Sequence, residues 1–540
     1  MKKILSLTIL ALLCNLLFSQ TDATAIYNRV DSIKKVGDSY YSAKKYKEAI
    51  ALYSEAAELA KKVNDGNNGH YAMAIYNLAY AYSKNGEHQK SLNCLIIAKD
   101  VYGSLNGTDN SKYAALLSMV GLGYENVGDH QNALKYLIQA LDARKKIIGI
   151  EHADYIKTIN NIISIYKGMQ DYQSTIKYYL EILEIKEKTV GENHADYAAA
   201  LANIASSYYT LKDYQNALKY TIKLGEVQKS ILGENDPEYI KTVFNICIMY
   251  YKIEDYPNTL KYALPIENTY DKTPAKYVDY LTMVAYSYYY LEDYQNSLKY
   301  SVPEMEMKKT LYGEENSSYI SALTMVGNAY YATNDIPNAM KYLTQLEEIQ
   351  EKTGDKSVDY SKTVYKIGNL YYNKGDYYNA LKYFLKTTKG AEDNPVDYAK
   401  ALSAIGAGYY YIGDYLTSLK YHQQALEIRK KTPGENSSDY FESLHHLGAV
   451  YERLEDYKTA MKYYQQVLDY NRKNKGENSP EYADILNNIG NIFISKENYS
   501  DALKYYQQTL EIRKKACGCT CICLVKGEKQ EIQVQQKKVR

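Results

Sequence analysis

Between Asp397 and Lys431 the chain reads DYAKALSAIGAGYYYIGDYLTSLKYHQQALEIRKK, and this pattern returns along nearly the whole sequence. Leu402, Ile405, Tyr409 and Ile412 fall three and four residues apart, as do Tyr415, Leu419, His422 and Leu426. That spacing gives one apolar stripe on each of two helices. Gly413 between them suits the positive φ that closes a helix, and Asp414 can accept from the free N–H groups that open the next one. The prediction is a helical hairpin. One hairpin cannot bury its own stripe, so it needs copies of itself on either side, and the chain is restricted to a one-dimensional stack.

Twelve copies follow one another. The residue matching Tyr421 falls at Leu52, Cys94, Tyr136, Tyr178, Tyr220, Tyr262, Tyr300, Tyr342, Tyr383, Tyr421, Tyr463 and Tyr505, in steps of 42 residues apart from two of 38 and one of 41. The Gly406 position is Gly or Ala in ten copies, with Ile163 and Cys247 the departures, and the Tyr409 position is Tyr in every copy except the last, Phe493. A small residue lets the two helices approach, and the Tyr409-row ring is expected to fill the space beside it. Enlarging Gly448 or Ala460 should then cost roughly 1–3 kcal/mol. Truncating Tyr330, if fully buried, should cost roughly 3–5 kcal/mol. Helix B starts with Asp in nine copies and Asn498 in the last, Lys45 and Glu87 being the exceptions.

These residues resemble the tetratricopeptide repeat. The 42-residue period, the Gly-Glu-Asn loops at Gly191, Gly233, Gly434 and Gly476, and the runs Asn487-Asn488-Ile489-Gly490 and Leu510-Glu511-Ile512-Arg513 are most similar to the longer repeats of the kinesin light chain type. The resemblance implies an all-α fold, a right-handed superhelical solenoid of about twelve repeats over residues 25–515. It also implies that the first helix of each hairpin lines a concave groove, with the residue after the Tyr409-row ring facing it. That residue is Tyr41, Ser83, Glu125 and Lys167, then Tyr in six consecutive copies: Tyr209, Tyr251, Tyr289, Tyr331, Tyr372 and Tyr410. Tyrosine joins apolar area to a hydroxyl and has few rotors to freeze, which suits a contact surface. Lys157, Lys241, Lys362 and Lys400 lie on the same helices and are expected to meet acidic groups at the rim. The alternative is that these rings only pack against adjacent helices.

The function expected is a non-catalytic scaffold that grips an extended peptide or protein segment. A second expectation is the regulatory N-terminal portion of a larger protein, because exported arrays of this kind precede effector regions such as a CHAT-type peptidase or a histidine kinase, and no cap follows Lys515. No nucleophile, base and orienting group come together in the sequence, and no phosphate loop is present, so neither catalysis nor a cofactor is expected. Gly121, Gly123 and Gly128 match a dinucleotide loop only by chance, since no strand precedes them. His445 and His446 are adjacent and lack the i, i+4 spacing of a helical zinc pair. With a net charge of +1, general attraction to nucleic acid is not expected. End-to-end self-association through the last helix is a further expectation.

Three segments stand apart from the repeats. Residues 1–20, with Lys2, Lys3 and the apolar run Ile4 to Phe18, read as a signal peptide for export from a bacterial cell to the periplasm or beyond. The run is short for a membrane span, so no transmembrane segment is expected after cleavage. Residues 516–540 share nothing with the repeats and are expected to be a disordered tail, although Cys517, Cys519, Cys521 and Cys523 could hold a soft metal or pair. Pro265 and Pro303 occupy the same helix-B position in two successive copies, which predicts an irregular joint over residues 264–303, with helix B stopping or bending. Pro257 and Pro337 fall in first turns, where proline is tolerated.

Overall fold

The computed structural model describes residues 23–354, 357–391 and 394–517. The expected signal peptide and Cys519, Cys521 and Cys523 lie outside these residues. The described residues form helices and turns with no strand. Two compact units divide after Tyr270. The first holds α1 (23–42), α2 (Tyr46–Lys61), α3 (Gly69–Lys84), α4 (His88–Asn106), α5 (Ser111–Asn126), α6 (His130–Ile147), α7 (Ala153–Gly168), α8 (Tyr172–Val190), α9 (Ala195–Thr210), α10 (Tyr214–Leu232), α11 (Pro237–Lys252) and α12 (Tyr256–Ile266). The second holds α13 (Pro274–Tyr290), α14 (Tyr294–Tyr312), α15 (Ser317–Ala332), α16 (Ile336–Lys352), α17 (Val358–Asn373), α18 (Tyr377–Ala391), α19 (Pro395–Ile412), α20 (Tyr415–Arg429), α21 (Ser438–Arg453), α22 (Tyr457–Asn474), α23 (Pro480–Ser495) and α24 (Tyr499–Cys517). Odd-numbered helices are the A helices of the hairpins and even-numbered ones the B helices. Within each unit, every helix from α2 onward packs against the next in the chain.

The turns are written as the sequence predicts. Gly413 takes φ 92° and Asp414 accepts from the Thr417 N–H at 3.0 Å, while its own N–H returns to the Tyr409 carbonyl at 3.0 Å. The other eight helix-B aspartates and Asn498 cap in the same way; Lys45 and Glu87 make no side-chain cap. In several copies the left-handed residue before the cap is not glycine: Glu292 sits at φ 60° and Glu455 at φ 64°.

The hairpin interior corrects one expectation. The side chain that closes over the small residue comes from helix B, one position after the Tyr421 row. A methyl group on Gly368 would lie 2.5 Å from Phe384, and one on Gly448 would lie 2.6 Å from Tyr464. The Tyr409-row ring is only half-buried in most copies, Tyr330 included. It stacks face to face on the Tyr421-row ring of its own hairpin, from Tyr124–Tyr136 to Phe493–Tyr505, with centroids 5.4 to 6.0 Å apart and planes within 26°. Truncating Tyr330 therefore removes a stacked, partly wet ring, and the full-burial cost does not apply.

The two prolines behave differently. Helix α12 ends at Ile266, directly after Pro265, at 11 residues. Helix α14 continues through Pro303 for 19 residues, so a stop at Pro303 is corrected. Beyond that proline the helix is held by buried contacts: Glu304 accepts from Thr282 of α13 at 2.8 Å and pairs with Lys308 one turn on. Tertiary anchoring outweighs the lost backbone bond. Pro257 and Pro337 lie in first turns.

Candidate binding face on the A helices

The tyrosines that follow the Tyr409 row are buttressed within their own hairpins. All but Tyr331 meet the ring that opens helix B edge-on: Tyr41–Tyr46 at 5.5 Å, Tyr209–Tyr214 at 5.5 Å and Tyr251–Tyr256 at 6.0 Å in the first unit. In the second unit the pairs are Tyr289–Tyr294 at 5.4 Å, Tyr372–Tyr377 at 5.4 Å and Tyr410–Tyr415 at 5.7 Å. Ile336 opens α16, so Tyr331 has no such partner; its hydroxyl accepts from Asn369 of the next A helix at 3.2 Å. The Tyr410 hydroxyl accepts from Arg453 Nε at 3.1 Å. Tyr209 is exposed, and Tyr251, Tyr289, Tyr331, Tyr372 and Tyr410 are half-buried. Burial, then the neighbouring rings, raises the phenol pKa of Tyr289 and Tyr372. These rings pack and still present an edge.

The four lysines differ. Lys157, Lys241, Lys362 and Lys400 are all exposed. Lys241 and Lys362 meet acids of their own helices, Glu238 at 3.5 Å and Asp359 at 3.4 Å. Lys400 lines a cleft. A cation that spacing did not single out is Lys366 of α17, which donates to Asn328 Oδ1 and lies 5.8 Å from the centre of the Tyr331 ring. Burial lowers its pKa, and Lys362 adds to the effect.

Several clefts lie at one place in the repeat, the seam where an A helix, its B helix and the next A helix meet. In the first unit one lies between α3, α4 and α5, about 490 Å³, lined by Met73, Tyr76, Tyr102 and Met119. Another, about 210 Å³, is lined by Ala199, Ala202 and Gln228. In the second unit a cleft of about 270 Å³ is lined at the seam of α19, α20 and α21 by Lys400, Ser403, Arg429, Glu442 and His446, and it continues onto α17 and α18 at Tyr365, Tyr372 and Phe384. Met73, Ala199 and Lys400 are equivalent residues, each six before the small residue of its copy; Tyr76, Ala202 and Ser403 are equivalent too, as are Tyr102, Gln228 and Arg429.

The last of these positions also bolts hairpins together. Arg429 Nη1 donates to the Asp439 carbonyl at 3.0 Å and to Ser443 at 2.9 Å, and Nη2 meets Glu442 at 3.1 Å. Arg144 and Asn471 likewise reach the carbonyl ten residues on, Asp154 at 2.9 Å and Glu481 at 3.2 Å. The signal was a polar residue in an otherwise apolar helix-B stripe. His446 and Arg429 hold the Glu442 carboxyl down at about 2. Burial, reinforced by His446, pushes His422 down to about 2 and His445 down to about 4. His422 closes over Gly406, where the other glycine-bearing copies use an aromatic or aliphatic side chain.

Among the described residues, no three His, Cys, Asp or Glu side chains converge on a metal position, and no helix is long and apolar enough to cross a membrane. Cys517 closes α24.

Stacked helical hairpins with an aromatic A-helix face define a repeat protein of the interaction-scaffold class. The tetratricopeptide repeat model matches residues 22–102, 71–146, 154–221, 360–431, 397–473 and 439–515, more than half of the chain in total. The chain belongs to the tetratricopeptide repeat family. Similar solved structures include kinesin light chain TPR-like repeats of Podosopora anserina (18% identity, 38% of this chain and 98% of that one, TM-score 0.33). BtubC (BKLC) from P. vanneervenii is similar at 19% identity over 42% of this chain and 94% of that one, TM-score 0.29. The apo form of RapI is similar at 14% identity over 48% and 98%, TM-score 0.36. No match is found among curated proteins.

Proposed function

We propose that the chain is a non-catalytic scaffold whose A-helix face holds an extended peptide or protein segment. The observation that carries this is the row Tyr289, Tyr331, Tyr372 and Tyr410 on successive A helices of the second unit, each braced by its own hairpin or the next A helix and each left partly open. A braced ring loses little freedom on binding, so its contact area is retained as affinity. Lys366 and Lys400 beside the row favour a segment that carries acidic side chains. The reading includes export directed by residues 1–20, which predicts a mature N-terminus after Ser19 or a few residues later by intact-mass measurement.

The test is affinity capture from the native envelope fraction with the full chain and with a Tyr289→Ser, Tyr331→Ser, Tyr372→Ser variant. Loss of the captured partner with a cooperative melt retained supports the reading. Equal capture by both chains would leave the row as packing alone.

A further inference from the structure

The cleft between α3, α4 and α5 is walled by thioethers and phenol rings, where its counterparts are alanine-lined or ionic. At the Met73 position the other copies carry Asp, Ala, Lys, Ser or Glu, and Met73 is 50% exposed. Tyr76 and Met119 face the same space, with the Tyr80 hydroxyl reaching Met119 Sδ at 4.0 Å. Two thioethers and two phenol rings make a deformable wall that can mould to a flexible apolar chain. At about 490 Å³ the space exceeds what one leucine or phenylalanine side chain fills, and it lies within the roughly 300–1,000 Å³ of small-molecule sites.

Its polar end is asymmetric. Asn106 ends α4 and Lys112 lies in the first turn of α5, so both line the cleft at the loop joining those helices, while Tyr76 and Met119 lie about two turns along α3 and α5. Lys112 is the single charged residue lining it among the described residues, and no carboxylate faces it there. An occupant is thereby asked for an apolar body and one anionic end. The backbone alone does not produce this, since the same seam is alanine-lined at Ala199 and ionic at Arg429.

We infer that the cleft between α3, α4 and α5 binds a free amphiphilic carboxylate, its unbranched tail against Met73, Tyr76 and Met119 and its head on Lys112 and Asn106. The chain contains no tryptophan, so Met73→Trp in the full chain places a single indole at the mouth. Mid-chain brominated decanoate should quench it saturably and decanoate should compete. Decyltrimethylammonium, with the opposite charge, should not. Lys112→Met, at an exposed position that does not threaten folding, should weaken binding about tenfold. Calorimetry of decanoate on the unsubstituted chain guards against an effect of the indole itself. Saturable binding with that charge preference and that loss supports the assignment. No binding by either method, equal competition by the cationic amphiphile, or indifference to Lys112→Met overturns it.

Discussion

The seam around Met73 in the first unit and the seam around Lys400 in the second occupy the same position in the repeat and differ in chemistry. One is walled by methionine and tyrosine. The other holds an arginine tied to a carboxylate, with His446 at its wall and His422 and His445 stacked against that ring. The repeat backbone fixes where a cleft opens, and three or four side chains per copy decide what can enter it. A tetratricopeptide array can therefore vary its seams while the hairpin interior keeps largely to its own rows, His422 being a residue that serves both.

Acid should separate the two seams most strongly. The folded pKa values of His422 and His445 lie below the ordinary 6.5, so the unfolded chain takes up protons first. Their contribution is complete above that ordinary value and is lost as pH falls toward the folded values. At pH 5 each ring should destabilise the second unit by about 2 kcal/mol relative to pH 7.5. The Glu442 carboxylate adds its loss only at lower pH, between its ordinary 4.5 and about 2. Hydrogen exchange at the two pH values, corrected for intrinsic rates, should show weakened protection around α20 and α21 and little change around α3 to α5. His422→Phe, which copies the Phe384 arrangement over Gly368, should remove about half of the effect.

Removing the bolt comes next. Arg429→Met removes the bonds to the Asp439 carbonyl and to Ser443 and leaves Glu442 without its arginine, and should lower stability by about 2–3 kcal/mol in chemical unfolding. Tyr102→Met at the equivalent position of the first unit should cost less, because Tyr102 makes no bond of that kind to the next hairpin. Similar losses at both positions would mean that the seams do not differ as described. Gly448→Ala forces a methyl group toward Tyr464 and should cost roughly 1–2 kcal/mol. The smallest change expected is a gain: Glu455→Gly relieves a left-handed glutamate and should raise stability by about 0.5–1 kcal/mol.

The hairpins, their caps and the close approach at glycine were legible in the sequence because each depends on residues near one another in the chain. Asp414 and Gly413 are examples. The row that fills the glycine hole was harder, since the Tyr409 and Tyr421 rows and the residue after the latter are all large in many copies, and periodicity cannot rank them by azimuth. The seams were not legible. They lie between consecutive hairpins and depend on how Arg429 or Tyr102 meets the following A helix, which no local pattern encodes. Pro303 shows the limit of propensity: the residue that ends helices is carried through one by Glu304, Thr282 and Lys308.

Photo-crosslinking tests the binding face without knowledge of the partner. Benzoylphenylalanine would replace Tyr331 on the A-helix face, or Gln424, which is exposed on helix α20, in the full chain expressed in its native cells. Discrete adducts from position 331 and none from 424 are the result predicted. Adducts from 424 alone, or equal yields from both, would contradict the assignment of binding to the A helices.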